Sequence, residues 1–187
     1  MNKKVLEFKE NDIVNQTQLT MLYGLNNITD YERRYVLPVY GELLGGSANS
    51  ILFDEVREKN SYAYYVSALV KSYDNIMIVY SGIGKGSEKE VSKLIDKSLG
   101  KVSRGKFDLE KLESAKKTFI SAIKSTLDNP VSIINNYYAQ VLVDAVTLEE
   151  KIENIKKITL EDIMNVSKKV NLNRVFLLEA SDEENRD

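Results

Sequence analysis

The sequence predicts an α+β fold: one mostly antiparallel sheet of about five strands, with helices packed mainly on one face. Three observations carry this reading. Two alternating segments open the chain, two long segments rich in Tyr, Val and Ile lie in its middle, and helix-start signals recur through most of the rest. No Pro/Ser-rich linker and no short repeat divides the 187 residues, which suits one hydrophobic core. Residues 1–180 are read as one domain and 181–187 as a polar tail.

Val5-Leu6-Glu7-Phe8-Lys9 and Thr17 to Tyr23 alternate as strands do, with polar Glu10-Asn11-Asp12 after the first. Thr29-Asp30-Tyr31-Glu32 is a capping-box pattern, in which Thr and Glu satisfy each other's backbone donors. It starts a helix carrying Tyr35, Val39, Leu43 and Leu44. Gly45-Gly46 ends that helix in a tight turn, and Ser47-Ala48-Asn49-Ser50 opens a second one. The second presents Ile51, Leu52 and Val56 and stops near Lys59-Asn60-Ser61. Tyr62 to Val70 and Ile76 to Ile83, joined by the turn Tyr73-Asp74-Asn75, predict an antiparallel hairpin in the middle of the sheet.

Helices follow. Ser87 to Glu90 is a second capping-box pattern, opening a helix with Val91, Leu94, Ile95 and Leu99 as its buried stripe. Asp108 starts a longer helix, with Leu112, Phe119, Ile120, Ile123 and Leu127 on one face. Asn129-Pro130 begins the next, since proline suits a first helical turn. Thr147 and Thr159 start two short helices, and Arg174-Val175-Phe176-Leu177-Leu178 is the closing strand.

Composition removes whole classes of chemistry. There is no His and no Cys, so disulfides, thiolate nucleophiles and the usual zinc ligand sets are absent from this chain. A carboxylate-only magnesium or calcium site is left open in principle, but no EF-hand loop pattern is present and no cofactor is expected in this chain. With 26 basic and 28 acidic side chains, nucleic acid is not expected as a partner. No apolar run is long enough to span a bilayer and no signal-peptide pattern follows Met1. A soluble, cytoplasmic protein without membrane contact is expected.

Short motifs add little. Ser114-Ala115-Lys116-Lys117 and Ser121-Ala122-Ile123-Lys124 satisfy S-x-x-K, yet the S-D-N and K-T-G partners are missing. Gly82-x-Gly84-x-Gly86 lies between strand and helix without phosphate-loop spacing, and reads as a flexible turn. Tyr137-Tyr138 and the cluster Tyr62, Tyr64 and Tyr65 could stack bases or sugars. Half-buried sheet aromatics are the simpler reading.

One segment stands apart, running from Leu44-Gly45-Gly46-Ser47 through Leu52-Phe53 and Arg57-Glu58-Lys59 to Ala63-Tyr64. It resembles the C-terminal, non-catalytic domain of the pitrilysin/insulinase-like zinc metallopeptidases, a family that includes the mitochondrial processing peptidases. Tyr62 stands where that pattern has leucine. The resemblance implies paired homologous domains around a chamber, with zinc held by His-x-x-Glu-His on the first helix of the catalytic domain. Here that helix reads Tyr31-Glu32-Arg33-Arg34-Tyr35, without histidine.

The resemblance therefore implies a substrate-holding domain of a zinc endopeptidase that is not active alone. Its partner would be a catalytic domain or subunit bearing the zinc motif, and its ligand a peptide. In the family an Arg and a Tyr reach bound peptide, and by position these are Arg57 and Tyr64. A catalytically dead relative, acting as a structural or peptide-binding subunit and homodimeric, is the alternative expectation.

Overall fold

The computed structural model describes residues 5–143 and 146–181. It is built on one five-stranded sheet of β1 (Leu6–Asp12), β2 (Thr17–Leu25), β3 (Ala63–Lys71), β4 (Ile76–Ile83) and β5 (Val170–Ala180). The spatial order is β1-β5-β2-β4-β3. Only β1–β5 is parallel, and the other three pairings are antiparallel. The fold class is the expected α+β. The polar tail expected at 181–187 falls, beyond Ser181, outside the described residues.

Period-two patterning decides which face is covered. On β2, Thr17, Leu19, Met21, Tyr23 and Leu25 are all buried, and Met77, Val79, Ser81 and Ile83 continue that face on β4. Over it lie α1 (Leu37–Gly45), α2 (Glu88–Val102), α3 (Leu109–Ser125), α5 (Leu148–Lys157) and α6 (Leu160–Ser167). The central helix is α1, in which Leu37, Val39, Tyr40, Leu43 and Leu44 are at most 1% exposed. Its Tyr40 hydroxyl donates to Ser167 Oγ at 3.1 Å, tying α1 to α6. A further helix, α4 (Pro130–Val143), stands outside this layer beyond the turn Thr126–Asp128.

Local starts largely follow the capping chemistry. Thr29 and Glu32 exchange the expected hydrogen bonds, and Asp108, Thr147 and Thr159 each accept from the backbone two or three residues on. Asn129 does the same at the start of α4. Ser87 departs from expectation: it precedes α2 at φ −93°, ψ 5°, and its side chain makes no cap. Gly86, at φ +83°, turns the chain there.

Two expectations of placement are corrected. The β3–β4 hairpin lies at one side of the sheet, with β3 as its edge, rather than in the middle. The closing strand β5 instead inserts between β1 and β2, which are neighbours in sequence but not in space. Its apolar run from Val175 to Leu178 occupies an interior position, while every residue of β1 is exposed. A strand that charged suits an edge. Asp12 and Thr17 clamp the inserted strand, Asp12 O accepting from Ser181 N at 2.9 Å and Thr17 Oγ1 from Ala180 N at 3.1 Å.

Gly45 and Gly46 are the second correction. Gly46 has φ −81°, so no left-handed turn requires glycine there. Close approach requires it at Gly45. An added Cβ would collide with the backbone N of Ala68 and come within 2.9 Å of its Cβ. Ser67 Oγ donates to Gly45 O at 2.7 Å across the same contact. The end of α1 therefore lies directly on β3, the strand that carries Tyr64.

Candidate functional site

Arg57 and Tyr64 flank one tight turn. The helix after Ser47 ends in a π-helical turn, Phe53–Glu58, with Arg57 in its last residues. Ser61 N donates to Arg57 O at 2.8 Å and Tyr62 N to Val56 O at 3.1 Å. Asn60 Nδ2 closes the turn on Glu55 O at 2.6 Å. Ser61 takes φ +53°, a left-handed conformation that a β-branched side chain would resist. Asn60 and Ser61 thus suit the turn, as their chemistry suggested.

The acidic side of this π-turn is pinned. Glu55 binds Lys59 at 2.6 Å and Lys101 of α2 at 2.7 Å, while Asp54 meets Lys111 of α3 at 2.6 Å. Arg57 lies elsewhere on the turn, 46% exposed. Its guanidinium rests over the Phe53 ring at 4.7 Å and stands 3.9 Å from Glu58. Both are weak restraints at an exposed site.

Tyr64 is placed by a β-bulge. The β3–β4 register shifts between Ala63, opposite Ile83, and Tyr65, opposite Gly82, leaving Tyr64 as the extra residue. A bulge re-aims a side chain, and strict alternation of Tyr62, Tyr64 and Tyr65 is lost with it. Tyr64 is 67% exposed. It lines a cleft of about 170 Å³ with Ser61, Tyr62, Ala63, Gly84 and Ser87. Tyr64 is thus brought beside the glycine turn, and Arg57 sits across the Asn60–Ser61 turn rather than in the cleft wall. The sequence reading took Gly84 and Ser87 as turn and cap only, and nothing local marks them as neighbours of Tyr64. Tyr137 and Tyr138, expected as sheet aromatics, lie on α4.

Electrostatics supports the π-turn. Hydrogen bonds from Lys101 and then Lys59 outweigh the effect of burial and hold the Glu55 carboxyl below the usual carboxylate range. A depressed acid pKa contributes stability above the unfolded value, near ~4.3, and loses it as pH falls through the folded value. Glu55→Gln is therefore expected to cost about 1 kcal/mol at neutral pH, discounted for partly solvated lysines. The difference from the unaltered chain should shrink as pH falls below the ordinary carboxylate range, once the folded-state carboxyl is protonated. Urea unfolding at several pH values checks this, and a pH-independent difference would contradict it.

The helix-start position where the resemblance places zinc ligands does not fit a metal. Burial works against the Glu32 carboxylate, but Lys169 and Thr29 outweigh it and hold the group below the ordinary carboxylate range. Lys169 Nζ reaches its two oxygens at 2.6 and 2.7 Å. Arg33 is spent on Ser72 O and Asn75 Oδ1. Among the described residues no cluster of His, Cys, Asp and Glu could hold a metal ion. No described helix is long and apolar enough to cross a membrane.

A mixed sheet with helices over one face, a Gly45 contact onto the edge strand and a first helix without histidine together define the class. The chain belongs to the M16 peptidase family: residues 2–119 match the family described as Peptidase M16 inactive domain. It is 26% identical over 178 residues to "Probable inactive metalloprotease YmfF" of Bacillus subtilis, covering 94% of this chain and 42% of that protein. A conserved protein of Enterococcus faecalis V583 superposes with TM-score 0.90 at 27% identity, covering 98% of this chain and 44% of that one. The M16 inactive domain from Pseudomonas fluorescens shares the fold, with TM-score 0.76 and 15% identity over 98% of this chain and 45% of that one. This chain thus spans less than half the length of these relatives.

Proposed function

We propose that this chain is the non-catalytic, substrate-holding half of a zinc-dependent metalloendopeptidase, with zinc and the His-x-x-Glu-His motif supplied by a companion half. One observation carries the reading: Tyr64 stands on a bulge at the start of an edge strand, 67% exposed beside a cleft, with Arg57 one hydrogen-bonded turn away. The companion's metal would activate water and polarise the scissile carbonyl. The Tyr64 phenol donates to the oxygen on which negative charge develops. Arg57 grips a peptide carbonyl or carboxylate with directional donors. The edge position of β3 leaves Tyr64 open to an extended peptide, and the exposed π-turn leaves Arg57 open beside it. A cytoplasmic setting fits a chain without cysteine.

The test is reconstitution. The polypeptide bearing His-x-x-Glu-His that is continuous with this chain, or stably bound to it, is isolated from the source and assayed on a fluorogenic peptide library. Cleavage that requires both halves is the expected result. The name carried by YmfF favours a second reading, in which the assembly binds peptide without cutting it. Peptide binding with no hydrolysis by the zinc-loaded assembly would establish that reading instead.

A further inference from the structure

Helix α4 is built inside out. Its 14 residues, Pro130–Val143, contain no charged side chain, although 29% of the whole chain is charged. Val131, Ile134, Tyr137, Tyr138, Val141 and Leu142 are each 63–83% exposed. At about 100° per residue they fall within an arc of roughly 140°, one continuous apolar stripe. Asn136 and Gln140 turn the other way, while Asn135 is exposed at the stripe's margin. Asn136 and Gln140 are only partly exposed, and with Ile133, Thr147 and Leu148 they line a groove of about 100 Å³ between α4 and the start of α5. A surface helix ordinarily buries its apolar face and solvates its polar one. On α4 the apolar side is the one that faces solvent.

Two arguments say what covers it. The solved relative with TM-score 0.90 contains this fold as 44% of its chain, and YmfF as 42%. In both, more than half of the polypeptide lies beyond the matched region. A second copy is the weaker fit. A 14-residue helix is about 21 Å long and 10–12 Å wide. Two copies meeting only along α4 would bury far less than the ~1,200 Å² of a stable interface. A larger body is needed, and an uncharged stripe selects an apolar surface on it.

We infer that the outward stripe of α4 is the docking surface for the companion catalytic half, which covers it with an uncharged apolar face. The inference rests on the substrate-holding reading and adds to it the surface by which the halves are held together.

Because this chain has no cysteine, single thiols report burial cleanly. Val141→Cys on the stripe and Lys117→Cys on the exposed side of α3 are compared by maleimide labelling, read at the labelled peptide by mass spectrometry. In the isolated chain both should react at similar rates. In the assembly with the companion half, Val141→Cys should slow at least tenfold while Lys117→Cys does not. Ile134→Glu with Val141→Glu should weaken association at least tenfold and leave the melting temperature of the isolated chain within a few degrees of its original value. Unchanged labelling in an intact assembly overturns the docking surface and leaves the functional reading standing. Protection that rises with concentration in the isolated chain assigns the stripe to a second copy and also overturns it. Absence of any assembly overturns both.

Discussion

Replacing Tyr64 by Phe in the assembled peptidase is expected to lower peptide turnover about a hundredfold with zinc content unchanged. Only a hydroxyl is removed, from a ring 67% exposed on a bulge, so neither the core nor the β3–β4 ladder loses a contact. The loss should fall on kcat, because the phenol is proposed to bind charge that appears only in the transition state. Arg57→Lys keeps the charge but removes the planar fork, and should act mainly by raising KM. If Tyr64→Phe turns over peptide at the original rate, the role assigned to the phenol is wrong, whatever Arg57 does.

Gly45→Ala is expected to be the most destabilising single methyl addition in the chain, by roughly 3 kcal/mol. The new Cβ would meet the backbone of β3 at Ser67 and Ala68, which cannot swing aside as a side chain can. Gly46→Ala meets the carboxylate end of Glu42, which can swing aside, and the Glu42 Cα at 2.7 Å within its own helix, so it should cost less than Gly45→Ala and leave β3 in place. Denaturant unfolding of both variants separates the cases, and equal costs would count against a β3-specific clash. In the assembly, Gly45→Ala should also impair turnover beyond its stability effect, because the displaced strand carries Tyr64.

The elements themselves were legible because their signals are local. The cap at Thr29 needs only Glu32, and the burial of β2 needs only its own alternation. Arg57 and Tyr64 were found through the Leu44–Tyr64 pattern, which is also local. The bulge that re-aims Tyr64 was not legible, since it exists only as a mismatch between β3 and β4. Gly84 and Ser87 joined the cleft for the same reason: they sit some twenty residues from Tyr64 along the chain and beside it in space.

The amino-acid sequence by itself determined the α+β class, the helix starts, and the incapacity of this chain for His- or Cys-dependent catalysis. Each of these depends on residue identity or on spacings within a few turns. Only the tertiary structure decided that β5 enters between β1 and β2 and that Gly45 is required by contact rather than by its backbone angles. It likewise decided that α4 turns its apolar face away from the core. Strand order, close approach and the choice of which apolar surface is buried are set by competition among distant segments for one core. No window of neighbouring residues records the outcome of that competition.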